Sequence, residues 1–247
     1  MSGVVAVVPA AGRGTRLGRD VPKILVDVGG RSAWSMLSGR LAQVASHIHV
    51  VLSPEGQALF EQVARPPTPR TRVTTSVQPS PVGMGDAVFG SWSCWRHADR
   101  VLVVWGDQLG VSVKTLRRAV DAHRALEGRG IAVPLVRMTS PYVSYVFDNG
   151  GRLVSVRQAR EGDDCGNVGL SDVGTFVLSA EGLEARWREY LAGGDRRGAK
   201  TKELNFLPLL SWLSCERGYE VARVMVDDAD EARGMNTPED LAWFQGR

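Results

Sequence analysis

The sequence GVVAVVPAAGRGTRLGRDVPKIL, residues 3–25, decides how the first part of the chain folds. Residues 4–8 are apolar and rich in β-branched side chains, which indicates a buried strand. The loop at 10–18 contains glycines that let a backbone approach a ligand, and successive N–H groups in such a loop can bind an anion. Because several arginines and Lys23 add positive charge, the natural ligand for this stretch is a polyphosphate.

Two other glycine-rich phosphate-binding motifs do not fit this loop. The dinucleotide fingerprint Gly-x-Gly-x-x-Gly needs a third glycine where Leu17 stands, and Pro22 interrupts any helix that follows. The P-loop needs a Gly-Lys-Ser/Thr string that this stretch does not contain. A glycine-rich turn with scattered surface arginines remains the plain alternative to a nucleotide site.

The stretch resembles the signature of the sugar-1-phosphate nucleotidylyltransferases, in which a strand leads into Ala-Ala-Gly-x-Gly-Thr-Arg-Leu/Met and then Pro-Lys. This chain carries the eight loop residues at 10–17 and the dipeptide at 22–23. The later motifs are closest to the uridylyltransferase domain that acts on N-acetylglucosamine-1-phosphate. By this resemblance Arg16 and Lys23 are catalytic and would stabilise charge on the α-phosphate and the departing pyrophosphate. The resemblance implies these nucleotide-binding residues: Ala10, Ala11, Gly12, Arg13, Gly14 and Thr15.

A second loop, at 78–87, resembles the base-binding segment of that family. Its glycines let a backbone approach a flat ligand, and the amide of Gln78 offers a donor and an acceptor suited to a base edge. The resemblance assigns Gln78 and Gly83 to the nucleobase. Met84 replaces the usual Thr, so the base is left open, with UTP or CTP favoured.

A third motif is the apolar strand at 101–105, which ends in Gly106-Asp107. Ligands of open parallel sheets gather beyond the carboxyl ends of the strands, and Mg²⁺ prefers one or two carboxylates together with phosphate oxygens. Asp107 could equally cap the helix that follows. The family carries the same Gly-Asp with the Asp on the metal, which implies that Gly106 binds nucleotide and that Asp107 is a catalytic metal ligand. The family's second ligand position corresponds to Asn236 in Gly-Met-Asn.

The acceptor side departs from the family pattern. Ser144 or Tyr145 falls near a glycine that would face the sugar, Gln158 replaces a Glu, and Asp172 replaces an Asn that binds sugar hydroxyls. The basic run at 196–203 is either a solvated surface or a clamp for the acceptor phosphate, with Lys202 as the first candidate. These departures indicate an unusual acceptor.

Composition narrows the class of protein. A net charge of +3, from 30 basic and 27 acidic residues, is too balanced to indicate nucleic-acid or membrane partners. The widely spaced Cys94, Cys165 and Cys215 predict neither a disulfide framework nor a zinc site, so we expect a cytoplasmic protein. The N-terminus lacks a basic region, and no apolar run approaches the roughly 20 residues of a membrane span.

The resemblance runs from residue 4 to residue 241 and implies one nucleotidyltransferase domain over 1–247. Residues 1–110 would mainly bind NTP, and 111–247 would mainly bind the acceptor. The implied fold is a Rossmann-like three-layer α/β fold with a mixed central sheet and a small inserted β-hairpin. The oligomeric state is open, with a homo-oligomer allowed.

The implied reaction is Mg²⁺-dependent transfer of a nucleotidyl group from an NTP to a sugar-1-phosphate, with release of pyrophosphate. One alternative is a cytidylyltransferase that acts on a non-sugar phosphate or phosphonate, which the unusual acceptor residues favour. An alternative of another class is an inactive nucleotide-binding regulatory protein. The joint presence of Arg16, Lys23, Asp107 and Asn236 argues against it, because binding alone does not require all four.

Overall fold

The computed structural model describes residues 3–12 and 21–247 of the chain. Within these ranges the strands are β1 (Val4–Pro9), β2 (His47–Leu52), β3 (Arg72–Val77), β4 (Arg100–Val104), β5 (Gly130–Thr139), β6 (Val143–Phe147), β7 (Leu153–Gln158), β8 (Val168–Asp172), β9 (Thr175–Ser179) and β10 (Glu220–Val226). The α-helices are α1 (Ala33–Leu41), α2 (Pro54–Val63), α3 (Met84–Gly90), α4 (Trp92–Trp95), α5 (Val113–Arg124), α6 (Leu183–Ala192), α7 (Leu207–Arg217) and α8 (Pro238–Gln245).

One mixed eight-stranded sheet organises the molecule, in the order β10-β5-β9-β4-β1-β2-β3 with β8 paired to β5. Strands β1 to β4 are mutually parallel where they pair, and β9 is antiparallel to both β4 and β5. Strand β5 therefore runs in the direction of β4, and their carboxyl ends meet at the same edge. Strands β6 and β7 form a separate antiparallel hairpin. The predicted α/β fold with a mixed sheet and an inserted hairpin is confirmed.

The sheet is covered on both faces, which is why its central strands are apolar throughout. Residues 101–104 of β4 are fully buried, as parallel strands between two helical layers must be. One face packs against α1 and α5 through a core that includes Trp34, Leu37 and Leu116. The other face packs against α3, α6, α7 and the hairpin. In the described ranges, no helix is both long enough and apolar enough to cross a bilayer.

Two segments differ from what their sequence patterns predict, and both lie close to the site. The apolar pattern at 24–28 predicts an extended run, but Lys23–Leu25 forms a single 3₁₀ turn closed by the bond from Leu25 N to Pro22 O, 2.8 Å. The turn buries Ile24 in the core. The pattern at 171–178 predicts one strand, but the segment divides into β8 and β9 at Gly174, whose φ of 68° only glycine adopts easily.

Buried histidines make stability depend on pH. His123 is held between Arg100 Nε and the carbonyl of Gly130, and burial is the main cause that lowers its pKa to about 4. The unfolded chain takes up the proton near pH 6.5, so the stability from neutral His123 is present above that pH and lost as pH falls towards 4. We expect the free energy of unfolding, measured with urea, to fall between about pH 7 and about pH 5. It should fall less in His123→Gln, with the exposed His97→Gln as control, and equal pH slopes in all three proteins would contradict the assignment.

Candidate functional site

The site begins where the carboxyl ends of β1 and β4 meet. Gly106 N donates to the carbonyl of Pro9 over 3.1 Å, and Ala10 N donates to the carbonyl of Val51 over 2.7 Å. A Cβ at Gly106 would lie only 2.9 Å from both the Pro9 oxygen and the Ala10 Cβ. Gly106 is therefore needed because two backbones touch here, and this contact fixes the adjoining Asp107 beside the start of the glycine-rich loop.

Three predicted site residues converge at this corner from distant parts of the chain. Lys23 Nζ donates to Asp107 Oδ2 over 2.8 Å and to Asn236 Oδ1 over 3.0 Å. The Lys23 and Asp107 side chains are 20% and 25% exposed, so the group is shielded but still open to a ligand. The Asp107 carboxylate oxygen and the Asn236 amide oxygen therefore both point at the positive charge of the Lys23 ammonium.

Asn236 is positioned by the start of α8. Its backbone N–H donates to Asp240 Oδ2 over 3.0 Å, and Thr237 and Asp240 form a capping box. Asp240 also accepts from Arg233 Nε over 3.0 Å. On the other side, Met235 N donates to the carbonyl of Asp107 over 2.8 Å, so a main-chain bond ties the two predicted metal ligands together.

Gln108 is a positioning residue that sequence reasoning missed. Its Nε2 donates to the carbonyls of Glu231 (2.7 Å) and Arg233 (3.3 Å), which fastens the segment before Asn236 to the residue after Asp107. The side chain is buried, and a Cβ at Gly174 would lie 2.9 Å from its Oε1. A lone Gln after Gly-Asp carries no pattern that would have indicated this.

The oxygen atoms at this corner fit a magnesium ion. Within the described ranges, no cluster of three or more His, Cys, Asp or Glu side chains gathers as a metal site. Asp107 and Asn236 instead supply one carboxylate and one amide oxygen, both already directed at a cation. This donor set matches Mg²⁺, which takes few protein carboxylates and completes its shell with phosphate oxygens and water.

The predicted base-binding loop has an internal structure that the sequence did not reveal. Gln78 is buried, and its Nε2 donates to the Gly83 carbonyl (3.0 Å) and to Asp86 Oδ2 (2.7 Å). Leu204 bridges the loop with its main chain, donating from N to Val82 O (2.7 Å) and accepting at O from Gly85 N (2.9 Å). The amide donors of Gln78 thus hold the loop in shape, and its assignment to the base stays a prediction.

Replacing Gly83 by Ala should damage this loop selectively. Gly83 has a φ of 127°, and a Cβ there would lie 2.5 Å from Leu204 O and 2.6 Å from Leu204 N. Strained backbone of this kind costs about 1–3 kcal/mol, so we expect urea unfolding to report a loss of about 2 kcal/mol and calorimetry to report weaker NTP binding. Gly90→Ala is the control, because nothing lies within 4 Å of its Cβ position. Equal stability and equal NTP affinity in the two variants would contradict the close contact between Gly83 and the Leu204 main chain.

Two predicted acceptor residues, Tyr145 and Asp172, lie together near the corner formed by Lys23, Asp107 and Asn236. Tyr145 is buried, and burial, followed by the neighbouring Asp172 carboxylate, raises its pKa well above the usual value. Burial likewise raises the pKa of Asp172, whose Oδ1 accepts from Gly174 N over 2.7 Å. The carbonyl of Gly174 accepts from Trp105 N over 3.0 Å, which connects this pair to the segment between β4 and Asp107.

The other predicted acceptor residues are spread over the hairpin and one loop. In the hairpin Gln158 pairs with Val143, so these two residues share a face, and Tyr145 lies on that face as well. Ser144, which pairs with Arg157, lies on the opposite face. Ser144 and Gln158 are both buried. Lys202 is exposed, with a φ of 59°, and its Nζ donates to the Ala199 carbonyl over 2.8 Å. These positions do not form a single cluster.

A buried carboxylate, Glu161, holds the loop that carries Lys202 and Leu204. Its Oε1 accepts from Thr201 Oγ1 (2.6 Å) and Asn205 Nδ2 (2.9 Å), and its Oε2 accepts from the N–H groups of Lys200 (3.0 Å) and Thr201 (3.1 Å). Burial alone would raise its pKa, but these hydrogen bonds lower the pKa to about 2. Glu161, which follows β7 of the hairpin, therefore stabilises the predicted base-binding loop indirectly, because it holds the segment that contains Leu204.

Comparison with known proteins identifies the family. The model of the MobA-like NTP transferase domain matches residues 6–166, more than half of the chain. The chain belongs to this family. This membership confirms the resemblance to nucleotidyltransferases found in the loop at 10–18.

Similar proteins from this broader group include the bifunctional protein GlmU of two strains of Acidithiobacillus ferrooxidans, each 28% identical over 241 residues. The match covers 96% of this chain but 50% of each relative, so the chain spans about half their length. Two solved structures share the fold. The 4-diphosphocytidyl-2C-methyl-D-erythritol synthase of Anaerococcus prevotii has a TM-score of 0.67 at 13% identity, covering 99% of this chain and 97% of its own. HddC of Yersinia pseudotuberculosis has a TM-score of 0.66 at 18% identity, covering 98% of both chains.

Four of the predicted nucleotide-binding and catalytic residues lie outside the described residues, namely Arg13, Gly14, Thr15 and Arg16. Of the rest of that loop, Ala10 and Ala11 are half-buried and Gly12 is exposed at the end of the described segment. Lys23, Asp107 and Asn236 meet at one corner, and Gly106 packs against its floor. The roles assigned to all of these residues remain predictions.

Proposed function

We propose that this nucleotidyltransferase joins an NTP to a sugar-1-phosphate in a Mg²⁺-dependent reaction that releases pyrophosphate. The observation that carries the proposal is the convergence of Lys23, Asp107 and Asn236, with 2.8 Å and 3.0 Å between the ammonium and the two oxygens. A cation held by two oxygen ligands at the carboxyl edge of the sheet suits a reaction in which negative charge moves between phosphates.

In the proposed reaction an oxygen of the acceptor phosphate attacks the α-phosphorus of the NTP. A bond forms between that oxygen and phosphorus, and the bond to the bridging oxygen of the β-phosphate breaks. Pyrophosphate leaves with the electron pair. The acceptor is already ionised at neutral pH, so the protein needs no nucleophile of its own and contributes positioning and charge neutralisation.

The residues of the corner divide this work. Asp107 and Asn236 would hold Mg²⁺, which would supply positive charge to phosphate oxygens as a Lewis acid. Lys23, released from its two oxygen partners when the ion binds, would turn to the phosphates and neutralise charge on the leaving pyrophosphate. Arg16 would act with it on the α-phosphate. The N–H groups of residues 12–15 would hold the triphosphate, and Gln78 and Gly83 would contact the base.

A cytidylyltransferase that uses a non-sugar phosphate or phosphonate is the second candidate. The replacements at Ser144, Gln158 and Asp172 favour it, because they alter positions that would meet a sugar. Ser144 in particular is buried, and Gly169 has no room for a Cβ, which would lie 2.7 Å from Ser144 Oγ. One of the fold neighbours is described as a diphosphocytidyl-methylerythritol synthase. Residues 1–110 would serve the NTP and 111–247 the acceptor in either case.

One assay tests both candidates. Pyrophosphate release is measured with Mg²⁺, each of the four common NTPs, and a panel of sugar-1-phosphates and small phosphonates. Release with a sugar-1-phosphate supports the first candidate, and release only with CTP and a phosphonate supports the second. Tight NTP binding without release across the whole panel would contradict both and favour a binding protein that no longer turns over.

A further inference from the structure

A cavity of about 400 Å³ lies between the β6–β7 hairpin and the end of β5 and β8. Its wall includes Arg137, Ser144, Tyr145, Arg157 and Leu170, and no Asp or Glu is among the described residues that line it. A cavity of this size takes a small molecule, and its two arginines without a carboxylate make it attractive to an anion.

The two arginines retain hydrogen-bonding capacity. Arg137 is exposed on β5, and its side chain forms no hydrogen bond or ion pair with any residue in the described ranges. Arg157, on β7, donates one bond from Nη1 to the Asp164 carbonyl over 3.2 Å, which leaves most of its donors free. A third guanidinium, that of Arg223, lies 5.0 Å from the ring of Phe147, which also lines the cavity. The planar guanidinium fork matches carboxylate and phosphate groups.

The cavity adjoins the acceptor side of the proposed active site. Tyr145 lines it, and the Asp172 carboxylate lies near enough to help raise the pKa of Tyr145. On the paired strands β5 and β8, Arg137 lies opposite Leu170, and Leu135 lies opposite Asp172. Since residues two apart on a strand share a face, Arg137 and Asp172 lie on the same face of the sheet, two residues apart along it. From Leu170 to Gly174, which bonds Trp105 beside the catalytic corner, the chain covers at most about 13 Å. A hexose with groups at both ends spans much of this distance, and Arg137 and Arg157 both line the cavity.

We infer that the acceptor carries a second anionic group, a carboxylate or phosphate at the end remote from the reacting phosphate, and that Arg137 and Arg157 bind it. The inference rests on the proposed function, since it names the acceptor class of the same site. It accounts for two arginines that face a cavity with no carboxylate among the described residues that line it. It also explains why the family's neutral-sugar contacts are replaced at Ser144 and Gln158, because an anionic end group takes over the recognition of the acceptor.

Matched ligand pairs test the inference by binding, separately from turnover. Calorimetry would compare glucose 1-phosphate with glucose 1,6-bisphosphate and with glucuronic acid 1-phosphate, and butylphosphonate with 4-phosphonobutyrate. Each titration is run with the protein alone and with a non-hydrolysable NTP analogue bound. We expect the doubly anionic member of at least one pair to bind about tenfold more tightly or better.

The variants Arg137→Gln and Arg157→Gln should each remove most of that preference. Arg152→Gln is the control, because Arg152 is an exposed arginine paired with Asp148 at the hairpin turn, away from the cavity lining. Equal affinities within every pair, no binding of any compound, or the same loss in Arg152→Gln would overturn the inference. Thermal melting of each variant checks its fold, and either arginine variant suffices if the other is unstable.

Pyrophosphate release, measured in parallel, separates this inference from the proposed reaction. A preference that depends on Arg137 and Arg157 without any pyrophosphate release would support the anion subsite and count against nucleotidyl transfer to these acceptors. Pyrophosphate release by the wild-type protein without such a preference would support nucleotidyl transfer and count against the anion subsite.

Discussion

Asp107→Ala is expected to lower turnover by at least about 100-fold, the scale seen when a main electrostatic element of an active site is removed. The carboxylate has two roles in the proposed site: it would bind Mg²⁺, and it now holds Lys23 at 2.8 Å. Its side chain contributes little to the fold of the corner, because Met235 bonds the Asp107 backbone carbonyl rather than the carboxylate. The measurement is pyrophosphate release at saturating NTP and acceptor.

The matched control for this prediction is Asp121→Ala. Asp121 is also an aspartate paired with a basic side chain, Arg124, but its side chain is 68% exposed on α5. It should retain wild-type turnover. Near-normal turnover in a folded Asp107→Ala protein would remove Asp107 from the metal site, and the role of Asn236 would then need another explanation.

Glu161→Gln is expected to destabilise the protein by about 3 kcal/mol at neutral pH. The folded pKa of about 2 lies well below the reference value of 4.5, and a difference of this size corresponds to about 3 kcal/mol. The physical reason is that a glutamine at this position would carry no charge and would turn an NH₂ group towards donors that now face an oxygen. Urea unfolding at neutral pH measures the loss.

The pH dependence gives this prediction a signature that a general packing defect lacks. A carboxylate with a lowered folded pKa contributes stability that is fully present above about pH 4.5 and is lost as pH falls towards 2. The difference between wild type and Glu161→Gln should therefore shrink when unfolding is repeated at about pH 3. Glu181→Gln, which removes a surface pair with Arg129, should change stability by less than about 1 kcal/mol at either pH. An unchanged difference in acid would contradict the role of the charge.

The meeting of Lys23, Asp107 and Asn236 at one corner could be predicted from the sequence because each of these residues has a local signal. Asp107 follows an apolar strand and a glycine, Lys23 follows a proline after the glycine-rich loop, and Asn236 precedes a Thr-Pro helix start. In a parallel sheet, strand ends share an edge, so such residues can meet although 84 and 213 positions separate Lys23 from its two partners. The fold class was implied by the resemblance of these motifs to the sugar-1-phosphate nucleotidylyltransferases.

The remaining contacts depend on tertiary packing that no local pattern encodes. The sequence predicts that a base approaches Gly83, yet the group closest to it is the main chain of Leu204. Glu161 looks like one more charge in a polar loop, because its four hydrogen bonds come from residues 200–205. Arg137 and Arg157 belong to different strands and face one cavity only because the hairpin folds over β8. The roles of the predicted acceptor residues stay predictions.

The bridge from Leu204 to the base loop has a consequence for how this protein tolerates sequence change. Both of its hydrogen bonds use main-chain atoms, so many side chains at position 204 should preserve them, provided that they pack as Leu204 does against its apolar neighbours. The length of the connection is a different matter. A one-residue insertion or deletion between the Glu161 partners at 200–201 and position 204 would shift the bridging peptide out of register with 82–85. In a mutational library, position 204 should therefore accept many substitutions, whereas the segment at 200–204 should reject changes in length.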